Sequence, residues 1–181
     1  MAMKLGNPGS IAIIDPRKKR GEEGQYVQHK GALHELYALA EQARREGKEI
    51  RWYYRDLQTE GEEGGVERIA SHFIITEVPP RHVQPFHTHY ELHEITLVLK
   101  GQVVSVNSDT LSEDDLKATI ADGRIWQLGE PIGRFQTLTE KPGTRHTVAN
   151  PSSTEWAHII TVQTARKPIE EFSIDWVADK K

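Results

Sequence analysis

Hydrophobic and polar residues alternate along most of the second two-thirds of the chain, in short runs that glycine and proline separate. A period of two places successive side chains on opposite faces of a β-strand, so each run predicts a strand with one buried face. Many short strands of this kind are typical of a β-sandwich or β-barrel. The predicted strands cover residues 50–55, 68–78, 85–89, 93–99, 101–107, 124–127, 134–139, 145–149 and 155–164, with a further candidate within 169–176.

Residues 32–46 have the spacing of an amphipathic helix instead, and Gly47 ends the pattern. A shorter helical turn is predicted over 111–117, where Ser112 is in position to cap the N-terminus. No second helix follows the first after a tight turn, which argues against a fused helix-turn-helix module that reads DNA. The apolar stripe of the first helix consists of Leu33, Leu36, Tyr37, Ala40 and Ala43.

The first 30 residues are weakly patterned. Residues 11–14 suit a short edge strand that Pro16 would stop. The basic cluster 17–20 is a candidate phosphate contact, but the acidic residues that follow offset its charge, and we interpret it as a solvated loop. We therefore divide the chain into an N-terminal segment, 1–49, that contains the helix, and a β-barrel, 50–177.

Composition limits the classes of function. The 181 residues suffice for one domain with its own core, and a net charge of -4 gives no general basis for binding nucleic acid. The absence of cysteine excludes disulfides, thiolate metal ligands and a cysteine nucleophile. No apolar run approaches the roughly 18 residues of a membrane span, and the N-terminus lacks the apolar stretch of a signal peptide. We expect a cytoplasmic protein that has neither membrane nor nucleic-acid partners.

The candidate chemistry lies in residues 87–94, which hold three histidines and two carboxylates. His87 and His89 are two residues apart, so both imidazoles would point to the same face of a strand. Glu94 has an odd offset from them, and it joins them only if the chain turns and returns as a neighbouring strand. A fourth histidine, His146, follows a Pro–Gly turn. We expect the two segments to meet around one divalent metal ion.

Each of these residues also has a simpler interpretation. A single histidine in an apolar strand is usually a hydrogen-bonded core residue. The four together favour a metal site, because burying Glu94 without compensation would be costly. His93 is an alternative ligand to Glu94, and Glu94 is preferred because a carboxylate balances the charge of a cation.

Two spaced motifs resemble those of the cupin superfamily. The first has the form HxH, three or four residues, E, six residues and G, and it runs here from His87 to Gly101. The second has the form PxG, two residues, H, three residues and N. Its Gly143, His146 and Asn150 are in place, while the proline stands one position late. The resemblance covers residues 68–165. It implies a double-stranded β-helix, related to the jelly roll, that binds a metal ion through His87, His89, Glu94 and His146.

The resemblance leaves the metal and the catalytic residues open. Three imidazoles and one carboxylate suit Fe(II), Mn, Ni, Cu or Zn, and an octahedral ion with four protein ligands keeps up to two open positions. We interpret His158 first as part of the barrel wall. The residues that are candidates for a place beside the ligands are His93, Glu91, Gln136 and His158.

Three hypotheses of function follow. The first is a metal-dependent enzyme on a small polar organic substrate, with dioxygenase-like chemistry preferred because the open positions suit O2 and a substrate. The second is a redox-silent isomerase or lyase acting on a sugar or keto acid. The third is a non-enzymatic module that binds or senses a small ligand. Cupins are often dimers, so the resemblance also implies a homodimer.

Overall fold

The computed structural model describes residues 6–19, 21–54, 70–90, 92–165 and 176–178. Its helices are α1 (Leu33–Arg45) and α2 (Glu113–Ala121), and a 3-10 turn spans Arg124–Gln127. Its strands are β1 (Ser10–Ile14), β2 (Tyr26–His29), β3 (Glu49–Tyr54), β4 (Ala70–Val78), β5 (His87–His89), β6 (His93–Lys100), β7 (Val103–Asn107), β8 (Glu130–Ile132), β9 (Thr137–Glu140), β10 (Arg145–Ala149), β11 (Ala157–Ala165) and β12 (Trp176–Ala178).

The strands form two antiparallel sheets. One has the order β2-β1-β3-β4-β11-β6-β9, and the other has the order β12-β5-β10-β7-β8. From β4 onward, successive strands mostly alternate between the sheets: β5 lies in the second sheet, β6 in the first and β7 in the second. This alternation is the topology of a double-stranded β-helix, a relative of the jelly roll. The predicted fold class, an all-β barrel of this type with an N-terminal helix, is therefore confirmed.

The space between the two sheets changes from apolar to polar along the strands. On β6 and β11 the inward-facing pairs are Val98 with Ile159, Thr96 with Thr161, and Glu94 with Gln163. Period-two alternation places all three pairs on one face. The apolar end is one cluster with members from both sheets, which shows that they pack face to face. Its buried residues are Val78, Val98, Val103, Ile132, Val148, Ala157 and Ile159.

Helix α1 packs on the outer face of the seven-stranded sheet through Leu36, Ala40 and Ala43, which are buried against β1 and β3. Arg44 donates two hydrogen bonds to the Glu77 carboxylate, at 2.6 and 2.7 Å. The indole of Trp52 donates to the same carboxylate at 2.8 Å. A buried carboxylate with three donors is well satisfied, so this cluster fixes the helix to the barrel.

Helix α2 covers the outer face of the second sheet. Ser112 accepts a hydrogen bond from the backbone N–H of Asp115 and so caps the helix as predicted, although the helix extends to Ala121. Leu116 and Ile125 are fully buried against Val104 and Val106. The second sheet is thus apolar on both faces near α2.

Several strand predictions need correction. Residues 124–127 form a 3-10 turn, because Gly123 adopts a φ of 78° and the Asp122 carboxylate accepts from the backbone N–H of Arg124. The predicted strand 134–139 forms only from Thr137, as β9, because Phe135 adopts a φ of 64° in the turn that follows the unpredicted β8. The predicted edge strand 11–14 is an inner strand, because β2, which the weak pattern did not predict, covers its free edge.

The structure does not require correction of the other expectations about the fold. The division of the chain at residue 49 remains a prediction, and most of the candidate strand within 169–176 lies outside the described residues. In the basic cluster, Arg17 binds the Asp15 carboxylate at 2.8 Å and Lys18 donates to the carbonyl oxygen of Glu23, which agrees with a loop. Among the residues that the structure describes, no helix has the length and hydropathy needed to cross a membrane.

Candidate metal centre

Four residues of the two motifs converge at the polar end of the barrel. His87 and His89 lie on β5, and His146 lies on the adjacent β10, where it is the cross-strand partner of His87. Glu94 comes from β6 in the opposite sheet. One nitrogen or oxygen from each of the four residues lies within 4.8 Å of the other three, and all four residues are buried.

Glu94 reaches the cluster by a different route from the one expected. The chain turns after His89, but β6 does not return beside β5, because it crosses to the other sheet. A carboxylate that is five residues beyond His89 can therefore face the imidazoles across the barrel. The turn before His146 is fixed to this strand, since the backbone N–H of Gly143 donates to the carbonyl oxygen of His89 at 2.6 Å.

Two of the imidazoles have their tautomers set by the backbone. His87 Nδ1 lies 2.9 Å from the carbonyl oxygen of Pro85, and His146 Nδ1 lies 3.0 Å from that of Thr144. A carbonyl oxygen can only accept, so each Nδ1 must carry the proton and each Nε2 becomes the nitrogen with the lone pair. A backbone partner of this kind is the usual means of orienting a histidine towards a metal.

The surroundings of His87 and Glu94 favour the charge states in which these two side chains bind a metal ion. Burial, assisted by the charge of His146, lowers the pKa of His87 to about 3, so this ring is neutral at physiological pH. Burial opposes ionisation of Glu94, but the adjacent rings of His146 and His89 hold its pKa well below the usual range. Burial likewise opposes protonation of His146, yet Glu94 raises the pKa of that ring. A neutral imidazole and an ionised carboxylate are the forms that coordinate a cation.

The cluster leaves a polar atom that a metal ion would satisfy. His146 Nε2 is buried and has no hydrogen-bond partner, although it is 3.5 Å from Glu94 Oε1. Buried polar atoms without a partner are rare and need a physical explanation. Three imidazoles and one carboxylate with an unused lone pair fit a divalent transition metal. The donor set does not select one metal from Fe, Mn, Ni, Cu and Zn.

The structure adds two residues that the sequence analysis missed. Gln163 on β11 donates to Glu94 Oε2 at 2.8 Å. Glu140 on β9 is the cross-strand partner of Glu94 and is buried as well. The alternation of inward and outward residues along each strand could have predicted both residues. Gln163, for example, shares the inward face of β11 with Ile159 and Thr161. His158, the candidate named from this strand, has the opposite parity.

Three of the four residues expected beside the ligands lie elsewhere. His93 is exposed at the start of β6. Gln136 is exposed in a turn, where its side-chain oxygen accepts from the backbone N–H of Gly133 at 2.7 Å. His158 is on the outer face of β11 opposite Glu77, so the barrel-wall interpretation was the better one. Period-two alternation turns the side chains of His93 and His158 away from the cluster, and Glu91 lies outside the described residues.

Asn150, the last residue of the second motif, supports the loops that flank the site. Its side-chain amide donates to the carbonyl oxygens of Val78 and Glu155 at 3.0 and 2.8 Å. Its backbone N–H donates to the carbonyl oxygen of His82 at 2.8 Å. One buried asparagine thus joins the ends of β4 and β10 to the segment that leads into His87.

Comparisons with known proteins place these observations beside solved structures. No protein-family model matches the sequence, and neither does any curated protein. A predicted oxalate decarboxylase from Thermotoga maritima is 16% identical over 66% of this chain and 82% of its own, with a TM-score of 0.44. An uncharacterized conserved protein with a double-stranded β-helix domain from Klebsiella pneumoniae is 11% identical over 68% and 91%, with a TM-score of 0.42.

Oxalate oxidase in complex with the substrate analogue glycolate is 17% identical over 54% of this chain, with a TM-score of 0.39. The match covers 43% of the oxidase, so this chain spans less than half the length of that protein. Identities this low transfer no activity from these proteins. The alternating two-sheet barrel and the convergence of three histidines and one glutamate inside it confirm the resemblance of this chain to the cupin superfamily.

Proposed function

We propose that this chain is a metal-dependent enzyme that acts on a small polar organic molecule, with a dioxygenase-like oxidation as the first candidate reaction. One observation supports this above the others: four buried donors from three strands point at a common position. Four protein ligands on an octahedral ion keep up to two positions for oxygen atoms from outside the protein. A redox-active ion such as Fe(II) would supply electron transfer to O2.

The chain's own residues give the site its orientation. The carbonyl oxygens of Pro85 and Thr144 hold two rings in the required tautomer, and Gln163 holds the Glu94 carboxylate. The apolar cluster beyond Val98 closes the inner end of the barrel. A substrate would therefore approach from the polar end, in an environment of low dielectric where fixed donors and acceptors act strongly.

The test is anaerobic reconstitution with Fe(II), followed by measurement of O2 uptake with a panel of catechols, diketones and thiols. We expect uptake with at least one class of compound, and none from the His146→Ala variant, which controls for free iron in solution. Protein that holds one iron per chain and turns over no compound in the panel would argue against the oxidation. Binding without turnover would favour the ligand-binding or sensor hypothesis.

A second candidate is isomerase or lyase chemistry without a change in the oxidation state of the metal. The second buried carboxylate, Glu140, favours it, because such reactions need a group in the site that accepts hydrogen bonds from a substrate hydroxyl. Turnover of a sugar or keto acid by the Zn- or Mn-loaded protein, at equal rates with and without O2, would establish this candidate over the first.

The homodimer is a proposal too. It rests on the resemblance and on Ile95, an exposed apolar residue on the outer face of β6 that a partner chain would cover. Light scattering on a size-exclusion column tests it, and a monomer in dilute solution would rule it out.

A further inference from the structure

Glu140 is a carboxylate inside the barrel that is not one of the four candidate ligands. It is 6% exposed, and it pairs with Glu94 across β6 and β9. Ser105 donates to its Oε1 at 3.0 Å, and Asn107 donates to its Oε2 at 3.2 Å. Both donors belong to β7 in the opposite sheet, so the carboxylate is held from across the barrel at the end where the candidate metal centre lies.

Both of these donors are neutral. The buried polar residues that the structure describes include no lysine and no arginine. Two arginines near this part of the chain have other partners: Arg145 stacks on Phe86 at 3.9 Å and donates to the carbonyl oxygen of Leu111, and Arg134 stacks on the exposed Phe135 at 4.5 Å. Glu140 thus differs from Glu77, which is equally buried but binds an arginine.

The charge of Glu140 limits what the site accepts. A divalent ion held by Glu94 has one positive charge in excess, and Glu140 cancels it. A dianion such as oxalate would then lie beside a second buried carboxylate whose hydrogen-bond donors among the described residues are neutral, which is unfavourable at low dielectric. A carboxylate has about four lone-pair sites, of which Ser105 and Asn107 occupy two. Glu140 can therefore accept a hydrogen bond from a hydroxyl group of the substrate.

We infer that Glu140 is a substrate-binding residue and that the substrate is a neutral molecule with neighbouring oxygen atoms, at least one of them a hydroxyl, such as a vicinal diol or an α-hydroxycarbonyl compound. This inference rests on the proposed function. It deepens that function, because it selects the catechols and the sugars from the substrates named for the two candidate reactions and excludes dicarboxylates.

Protein loaded with Co(II) allows a test by binding rather than activity. Metal content is measured first, and catechol and oxalate are then titrated separately at pH 7 while the visible spectrum of Co(II) is recorded. We expect the wild-type protein to bind catechol more tightly than oxalate. In Glu140→Gln, which removes the charge with little change in shape, the Kd for catechol should rise about tenfold or more and the Kd for oxalate should fall.

Two further variants serve as controls. Glu140→Asp keeps the charge and should retain the preference for catechol. Glu77→Gln changes an equally buried glutamate on the outer face of the barrel, and it should leave both Kd values unchanged. Circular dichroism and the Co(II) content of each variant verify that the fold and the metal site persist.

Three results with fully loaded protein would overturn the inference about Glu140 without contradicting the proposed metal site. They are tighter binding of oxalate than of catechol by the wild type, unchanged Kd values in Glu140→Gln, and no binding of either probe. A wild-type protein that takes up no Co(II) would instead overturn the proposed function, and this inference with it.

Discussion

The side-chain amide of Gln163 donates to Glu94 Oε2 at 2.8 Å, and the two residues are cross-strand partners on β11 and β6. The same amide nitrogen lies 3.3 Å from His89 Nε2. Gln163 therefore contacts two candidate ligands that come from different sheets. Because strand register sets this position, the amide is in place before any ion binds, and it fixes which way the carboxylate faces.

Replacement of Gln163 should weaken metal binding without abolishing it. In Gln163→Leu the carboxylate loses its orienting donor, and we expect metal affinity to fall about 10- to 100-fold. Competition with a chelating dye measures the affinity. Gln136→Leu is the matched control, because this glutamine is exposed and contacts only a turn. Equal affinities for the two variants would contradict the role of Gln163.

Removal of a ligand should have a larger effect. His146→Ala takes away a donor whose Nε2 is buried and without a hydrogen-bond partner. We expect the metal content of the purified protein to fall from about one ion per chain to near zero, since a site that loses one of its four donors binds weakly. Elemental analysis measures the content. His158→Ala, a histidine on the outer face of β11, should keep full occupancy, and a loss there equal to that of His146→Ala would refute the assignment.

The attachment of helix α1 makes a prediction about stability. Arg44→Ala leaves Glu77 buried with only the Trp52 donor, so the free energy of unfolding should fall by about 3 kcal/mol. Arg45→Ala is the control, because its side chain is 70% exposed and its contact with Glu41 is 3.8 Å long. The Arg45→Ala substitution should lower the free energy of unfolding by less than about 0.5 kcal/mol. Urea unfolding followed by circular dichroism compares the two variants, and similar losses would show that Glu77 does not hold the helix.

A second buried network predicts a dependence of stability on pH. Glu49 is fully buried and accepts from Arg51 Nε at 2.6 Å, with His82 Nε2 at 2.5 Å and Gln84 Nε2 at 3.1 Å. Burial alone would raise the pKa of Glu49, but the charge of Arg51 and the hydrogen bond from His82 lower it to about 2. A depressed pKa stabilises the fold above the ordinary value of 4.5.

This contribution is lost as the pH falls from about 4.5 towards 2. The wild type should therefore exceed Glu49→Gln in free energy of unfolding by about 3 kcal/mol at pH 7, and the difference should shrink near pH 3. Urea titrations at both pH values measure it. A difference that is constant with pH would mean that Glu49 stabilises the protein through packing rather than charge.

The local sequence was sufficient for part of the site. His87 and His89 share a face because a strand alternates with period two, and the Pro–Gly turn places His146 at a strand start, so these ligands follow from spacing. The helix over Leu33–Arg45 also follows from spacing, since its buried residues have the predicted period. These features depend on neighbours in the chain, and the family motifs depend on the same short segments.

Other features depend on which strands become neighbours, and no short segment specifies that. Glu94 meets the histidines because β6 crosses to the opposite sheet, and Gln163 meets Glu94 because of the β11 register. Residues 124–127 alternate like a strand, but their capping contacts make a turn.

The amino-acid sequence by itself determined the helix and the shared face of His87 and His89, because each depends on the spacing of residues that are close along the chain. Its resemblance to the cupin motifs indicated the barrel class and the other two candidate ligands. Only the tertiary structure decided that Glu140 lies inside the barrel with Ser105 and Asn107 as its donors, and that Gln163 rather than Gln136 or His158 supports the ligands. The reason is that hydrogen bonds and charge balance depend on distances between segments, and the pairing of strands far apart in the chain sets those distances.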